Sequence, residues 1–516
     1  LRLQADAVFL GDGCEPGPAR ALKALGRLAA AGAVLASACA TASERAGLLT
    51  AGFAPADFKP DTGPITAEVI DPITTPATCT SPGPKGRATT AGFAPRFLPP
   101  RMPTAAVPSA TQAVVVGAGL AGAAAAQALA RLGLQVTVLE QQAQPATQSS
   151  GNPGGLFHGT FNADDGVYAR LFRAAALHAA RAYGPDMTHG NVPGFKGGLL
   201  RLETHGPDTA AMQALLDHTG LPSAYVAPLG REQASRLAGV PLPGPAWFYP
   251  GGGWLAPAAW VTHTLSSTPG VRLRCHCTVH HLVREAGDWC LLDGLGQRLA
   301  QAPIVVLAQA SGVAPLLAPL GHGPWPVQST RGQVTHWASD RPGALKLPVA
   351  GDGYAVPLPG GLLCGATRQA DDDDGSVRNA DHLLNLARLQ RLTGLVPPAD
   401  GTHLQGRVGW RLQADDRLPI AGAMPLAHMP EQQRLDQARF LPRERGLFVL
   451  TALGARGLTL APLLARLVAA QATGTPWPLE QDLADALDPA RWRVRAARTA
   501  GASVAPPLHH TTAAPA

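Results

Sequence analysis

Cysteine is scarce in this sequence and follows no pattern. Its seven residues (Cys14, Cys39, Cys79, Cys275, Cys277, Cys290 and Cys364) are odd in number and scattered over 516 positions, which excludes a disulfide framework. A reducing cytoplasm fits that usage. Long hydrophobic runs are missing too. The most apolar early stretch, residues 28–40, falls short of the ~18 uninterrupted apolar residues that a membrane-spanning helix needs, and no basic segment precedes it as in a secretory signal. These absences point to a cytoplasmic protein with no membrane partner. Charge is sparse, at 15% of residues, but 46% are hydrophobic. That balance excludes global disorder, and the length leaves room for roughly two to four domains. Lysine is nearly absent, with five residues against 37 arginines. The net charge of +6 permits a polyanionic partner without identifying one.

Composition divides what is present into three regions. Up to about residue 55, strand-like and helix-like patterns alternate: an apolar run at Ala7–Leu10, a helix over Ala19–Ala31, a strand at Ala33–Ser37. Such a piece is too short for a domain of its own. From Pro55 to Ala110, proline, threonine and glycine take over without periodicity, which predicts a linker. From Gln112 to about Arg498 the pattern is that of a compact enzyme, and residues 499–516 read as a disordered tail. The run Asp371–Asp374 reads as a solvated loop tip. Cys275-His276-Cys277 reads as part of a strand with both cysteines on one face, not a closed zinc set, so no metal is expected.

The chemistry starts at Gln112-Ala-Val-Val-Val-Gly117-Ala-Gly119-Leu-Ala-Gly122, followed by an alanine-rich helix and then Gln135-Val-Thr-Val-Leu-Glu140. Strand, glycine turn, helix and second strand form one βαβ unit. Gly117 permits the tight turn, Gly119 lets backbone approach a pyrophosphate, and Gly122 allows close helix–strand packing. The helix N-terminus offers free N–H groups to the diphosphate, and Glu140 falls where an acid would meet ribose hydroxyls. The fingerprint alone leaves FAD and NAD open. Further along, a small-residue loop at Ser150-Gly151-Asn152, a buried strand running into Gly312, and a turn at Gly454-Ala-Arg456-Gly457 before a late helix place candidate cofactor segments at both ends of the domain. That arrangement resembles the glycine oxidase and D-amino-acid oxidase class of flavoenzymes.

A more specific resemblance covers residues from about 112 to 498. Ser150-Gly-Asn-Pro-Gly-Gly-Leu156, Tyr249-Pro-Gly-Gly-Gly-Trp254, Thr330-Arg-Gly-Gln333, Asp352-Gly-Tyr354, Gly365-Ala-Thr367, Leu453-Gly-Ala-Arg-Gly457 and Leu487-Asp-Pro-Ala-Arg-Trp492 are similar, in order and spacing, to the flavin-dependent half of the bifunctional bacterial tRNA 5-methylaminomethyl-2-thiouridine biosynthesis family. The resemblance implies an α/β fold: an FAD-binding, Rossmann-like doubly wound domain (about 111–200, 252–328 and 412–498) with a sheet-rich α+β substrate domain (about 201–251 and 329–411). It implies FAD as cofactor, tRNA as partner, and oxidative removal of the carboxymethyl group from 5-carboxymethylaminomethyluridine at the wobble position. Residues 1–97 resemble only the end of that family's methyltransferase domain, with a Pro-rich insertion, and 98–110 reads as linker. Methyltransferase activity is therefore not expected of this stretch, and S-adenosylmethionine would be a partner only if an intact domain were supplied.

A carboxylate in a flavin pocket calls for arginine, whose planar guanidinium pairs with it bidentately. By resemblance, Arg411 matches the substrate-carboxylate arginine and Arg456 lies near the flavin; Tyr354 could cap the substrate through its hydroxyl, and Val279 would lie near the adenine. The basic segment Arg491, Arg493, Arg495 and Arg498 is the candidate tRNA contact. Two other readings compete: a free-amino-acid oxidase of the glycine or sarcosine type, and a catalytically silent tRNA-binding protein that keeps the flavin fold.

Overall fold

The computed structural model describes residues 5–10, 24–25, 28–37, 42–55, 89–93, 104–203, 208–338, 345–396, 404–430 and 434–502. The chain divides into two units, residues 1–101 and 102–516. The first holds a four-stranded sheet in the order Ala5–Leu10, Ala29–Ser37, Thr89–Phe93, Phe53–Pro55, and a helix over Ala42–Thr50. The first pair runs parallel and the others antiparallel, around a small core that includes Leu35, Leu48 and Phe53. Two expectations change here. The helix expected over Ala19–Ala31 gives way to strand from Ala29, where the apolar run continues to Ser37; most of its earlier residues lie outside the described ones. Thr89–Phe93 lies in what read as a structureless linker, yet it pairs with two strands. Pairing between distant strands leaves no local period to read.

The second unit rests on two large sheets. One has six strands in the order Val271–Arg274, Gln135–Leu139, Gln112–Val116, Ile304–Leu307, Arg443–Thr451, Ile420–Pro425. All neighbours run parallel except the last pair. Both faces of this sheet are covered, which is why its strands are continuously apolar. Ala113 and Val115 face a core of helices, whereas Val114 and Val116 face the opposite core, shared with Leu282, Trp289 and Leu291 of a three-stranded antiparallel sheet. The helix Leu120–Ala130 buries eight of its 11 residues. Its alanines let it lie flat between the sheet and the late helix Gly457–Thr473.

The other large sheet has nine strands, drawn from residues 199–202, 227–249, 327–370 and 404–414. Its spine is the antiparallel pair Val327–Ala338 and Leu404–Ala414, in register from Val327 opposite Ala414 to Trp337 opposite Leu404. Behind it, Arg331 is fully buried and donates to Asp381, Gln369 and the carbonyls of Asp374 and Ser376. The doubly wound α/β domain and its sheet-rich companion are thus the architecture expected.

Three boundary expectations are corrected. Residues 104–110, assigned to a linker, belong to the second unit: the Val107 N–H donates to the Ala472 carbonyl and the Gly446 N–H to that of Ala105, both at 2.8 Å, with Ala105 and Val107 buried. The strand at Val271 stops at Arg274, and His276 turns the chain with φ +55°, so Cys275 and Cys277 are not strand neighbours. The last helix, Arg491–Ala502, runs past the tail boundary expected at Arg498.

That helix also alters the reading of the basic segment. Arg491 is 3% exposed, donates to both oxygens of Asp416 and to the carbonyls of Leu418 and Pro419, and stacks on Trp492. Its charge is used inside the protein, which removes it from the phosphate-contacting set. The others are engaged as well: Arg493 with the Leu426 and Ala427 carbonyls, Arg495 with Asp416, Arg498 with the Asp436 carbonyl. Replacing Arg491 by alanine leaves the Asp416 carboxylate with Arg495 and the Leu418 N–H alone. We expect a stability loss of about 1.5–3 kcal/mol, read by urea unfolding, with no specific change in tRNA affinity of the folded fraction.

Buried histidines set an acid limit. Burial lowers His178 and His322 to about 4, with nearby arginines adding to the shift. The unfolded chain takes up these protons near pH 6.5 and the folded one does not, so stability is expected to fall as pH drops from about 6.5 towards 4. A flat melting temperature across that range would contradict this.

Candidate active site

A cavity of about 1190 Å³ runs between the C-terminal ends of the parallel strands and the nine-stranded sheet. At one end is the glycine turn. Gly117 has φ +98°, where a side chain is strained, and a Cβ on Gly122 would stand 1.8 Å from the Gly117 carbonyl oxygen. Only hydrogen fits there, so the helix Leu120–Ala130 starts hard against the turn, with Leu120 and Ala121 lining the cavity. Ser150 reaches over to accept from the Leu120 N–H at 2.9 Å. Glu140 closes the second strand, buried, its carboxylate accepting from the Ala118 and Gln142 N–H groups at 2.7 and 3.0 Å. Those bonds orient the carboxylate and leave lone pairs for ribose hydroxyls. Asn152, Val279, Gly312, Gly454 and Gly457 line the same wall, and the helix from Gly457 presents a second N-terminus. The glycine cradle, the oriented acid and the two helix starts fit an FAD.

The other end is cationic. Arg411 and Arg456 line it with Arg201 and Arg368. Burial lowers the pKa of both Arg411 and Arg456, and neither has a carboxylate partner among the described residues. Arg411 makes one long contact, 3.4 Å to the Thr367 carbonyl. It crosses the sheet where Gly332 gives it room, since a Cβ there would stand 2.0 Å from its guanidinium. Arg456 is held by His158, 298 residues away: its Nη1 lies 2.7 Å from His158 Nε2. Arginine can only donate, so Nε2 accepts, and the proton sits on Nδ1, which donates to the Gly159 carbonyl at 2.6 Å. Burial first, then Arg456, holds the His158 pKa well below 6.5. The ring is neutral and serves as a fixed acceptor. Tyr354 lines the cavity nearby, and burial pushes its phenol up to about 12, so it can donate a hydrogen bond.

Sequence and fold comparisons agree with this geometry. Residues 112–471 match the family described as FAD dependent oxidoreductase. The tRNA 5-methylaminomethyl-2-thiouridine biosynthesis bifunctional protein MnmC of Methylibium petroleiphilum is 43% identical over 95% of this chain and 75% of its own length. That of Paraburkholderia phytofirmans is 36% identical over 98% and 76%. The chain belongs to the MnmC family of FAD-dependent oxidoreductases. Among solved structures, glycine oxidase from Geobacillus kaustophilus superposes with a TM-score of 0.56 at 22% identity, covering 72% of this chain and 97% of that one. Iminodiacetate oxidase from Chelativorans sp. BNC1 gives 0.56 at 24%, covering 71% and 97%. Both likenesses concern the fold.

In this MnmC-family chain the structure gathers most of the expected residues on one cavity wall. Gly122 and Gly151 act instead by packing. A Cβ on Gly151 would stand 2.1 Å from the Arg407 guanidinium, which donates to the Thr147 and Gln148 carbonyls. With the hydrogen bond from Ser149 Oγ to the Trp410 carbonyl, this clamps the cofactor loop to the long strand of the substrate sheet. The acidic run is exposed but not free: Asp372 and Asp374 pair with Arg378, and the Trp410 indole donates to the Asp372 carbonyl. Among the described residues no group of three or more His, Cys, Asp or Glu could hold a metal ion, and no helix is long and apolar enough to cross a membrane. His158, Arg201 and Arg368 were missed by the sequence reading. His158 lies two residues beyond Leu156, and Arg368 one beyond Thr367, each just outside a recognised block.

Two substitutions test this geometry. Gly122→Val should yield a folded, colourless protein, measured as the ratio of flavin to protein absorbance. His158→Phe keeps the burial but removes the acceptor. It should leave flavin content unchanged and lower kcat/KM about ten- to hundredfold, the worth of a hydrogen bond to a charged group.

Proposed function

We propose that this chain oxidatively removes the carboxymethyl group from 5-carboxymethylaminomethyluridine, or its 2-thio form, at the wobble position of tRNA in the cytoplasm, leaving the 5-aminomethyl base. The observation that carries this reading is the identity to MnmC proteins across nearly the whole chain. The cavity supports it, because a glycine cradle meets desolvated, carboxylate-free arginines in one space.

The reacting group is an N-substituted glycine. Bound FAD would accept two electrons as hydride from its methylene carbon; the substrate nitrogen loses a proton, and water hydrolyses the resulting imine to the primary amine and a two-carbon oxo acid. The protein's part is placement. Arg411 and Arg456 hold the carboxylate, which fixes the methylene beside it. His158 keeps Arg456 in one orientation without adding charge. Tyr354, close enough to Arg411 for their charges to interact, donates from the same lining and stays protonated throughout the working pH range. The clamp through Arg407 and Ser149 keeps cofactor loop and substrate sheet in one register. Relatives are named as bifunctional; we assign only the oxidative half to this chain.

Anaerobic absorbance spectroscopy tests the proposal. tRNA bearing the carboxymethylaminomethyl group is expected to bleach the oxidised-flavin spectrum, while free glycine and sarcosine leave it unchanged. Bleaching by the free amino acids alone would instead establish an amino-acid oxidase. Arg411→Gln should lower kcat/KM for the tRNA about ten- to hundredfold.

A further inference from the structure

Four guanidiniums line the substrate end of the cavity, and one carboxylate does not need them all. They differ in setting. Arg411 and Arg456 are partly covered and desolvated, whereas Arg201 and Arg368 are exposed while lining the same wall. The exposed pair therefore occupies the rim. Both stand on fixed backbone. Arg201 lies in the strand Leu199–Leu202, in register with Trp247 on one side and Ala350 on the other. Arg368 lies between the strand Gly361–Gly365 and Gln369, which pairs with Arg331.

Neither rim arginine has a carboxylate partner among the described residues, although other exposed arginines of this unit do: Arg298 with Glu285, Arg391 with Asp352, Arg434 with Asp436. Asp352 lines the cavity too, but is taken by Arg388 and Arg391. Asp373 also reaches the wall and pairs with neither. The unpaired cations repel one another, Arg201 and Arg368 both acting on Arg456, and Arg368 on Arg411. Such a concentration of like charge is opposed by its own field unless an anion occupies it.

We propose that Arg201 and Arg368 form a phosphate subsite at the cavity mouth, which takes the backbone of the RNA strand carrying the reacting nucleotide. This rests on the tRNA reading above. The side chain of the base enters towards Arg411 and Arg456, and the sugar–phosphate stays outside, where the rim charges stand. Phosphate contacts of this kind position a strand without reading its sequence. The subsite lies on the nine-stranded sheet and not on the C-terminal helix, whose Arg491 is buried against Asp416.

The test compares wild type with Arg201→Gln/Arg368→Gln on three substrates bearing the same side chain: the nucleoside, its 5′-monophosphate, and an anticodon stem-loop. Anaerobic flavin reduction gives kcat/KM, and fluorescence anisotropy in a KCl titration gives stem-loop affinity without turnover. The double variant is expected to lose less with the nucleoside than with the stem-loop. It should bind the stem-loop about tenfold more weakly, with the slope of log affinity against log salt reduced by about 1.4, near 0.7 per lost contact. A loss on the monophosphate as well would place the contact at the 5′ phosphate; a loss on the stem-loop only would place it on neighbouring phosphates. Unchanged stem-loop affinity and salt slope would overturn the subsite, as would an equal loss on the nucleoside. If wild type binds the stem-loop but is not reduced by it, the proposed function fails, while the anisotropy still decides the subsite. Arg201→Lys/Arg368→Lys, which keeps the charge, should restore most of the salt slope.

Discussion

Two arginine charges, Arg411 and Arg456, are held partly out of water with no carboxylate partner among the described residues. Removing an ion from water costs several kcal/mol even after relaxation, and a side chain as flexible as arginine would normally swing out to recover its hydration. The fold prevents that. Gly332 leaves the channel through which Arg411 crosses the sheet, and His158, neutral because it is buried, holds Arg456 by a single acceptor nitrogen. A charged histidine in the same place would repel the guanidinium it orients. The lowered pKa and the positioning role are therefore one fact, and the site waits for an anion to supply the missing partner.

The same constraint explains why the two sheets are tied so firmly. The cofactor cradle belongs to the six-stranded sheet and Arg411 to the nine-stranded one, so the distance from the cradle to Arg411 depends on their junction. Arg407 and Ser149 bind the loop 147–151 to the strand 404–414, and Arg331 anchors the acidic turn whose backbone receives the Trp410 indole. These groups set the register between the glycine cradle and Arg411.

Much of this was legible before any coordinates. The unbroken apolar run Ala113 to Val116 and the spacing of Gly117, Gly119 and Gly122 state a doubly wound dinucleotide domain, because each requirement is local: a turn with positive φ, a helix packed without a side chain. The recognised blocks also carried Arg411, Arg456 and Tyr354 to the cavity. Within the basic C-terminal segment Arg491 misled, since it and a solvated arginine look alike in a sequence; only Asp416, 75 residues away, distinguishes them.

By itself, then, the sequence determined the fold class, the cofactor cradle and the family, since these depend on residues a few positions apart or on blocks kept in order. Tertiary structure alone decided which charges are free and which are spent. It paired Arg491 with Asp416 and His158 with Arg456, and left Arg201 and Arg368 without a carboxylate partner among the described residues. The physical reason is that an electrostatic interaction depends on distance through space and on exclusion of water, and neither quantity is written along the chain.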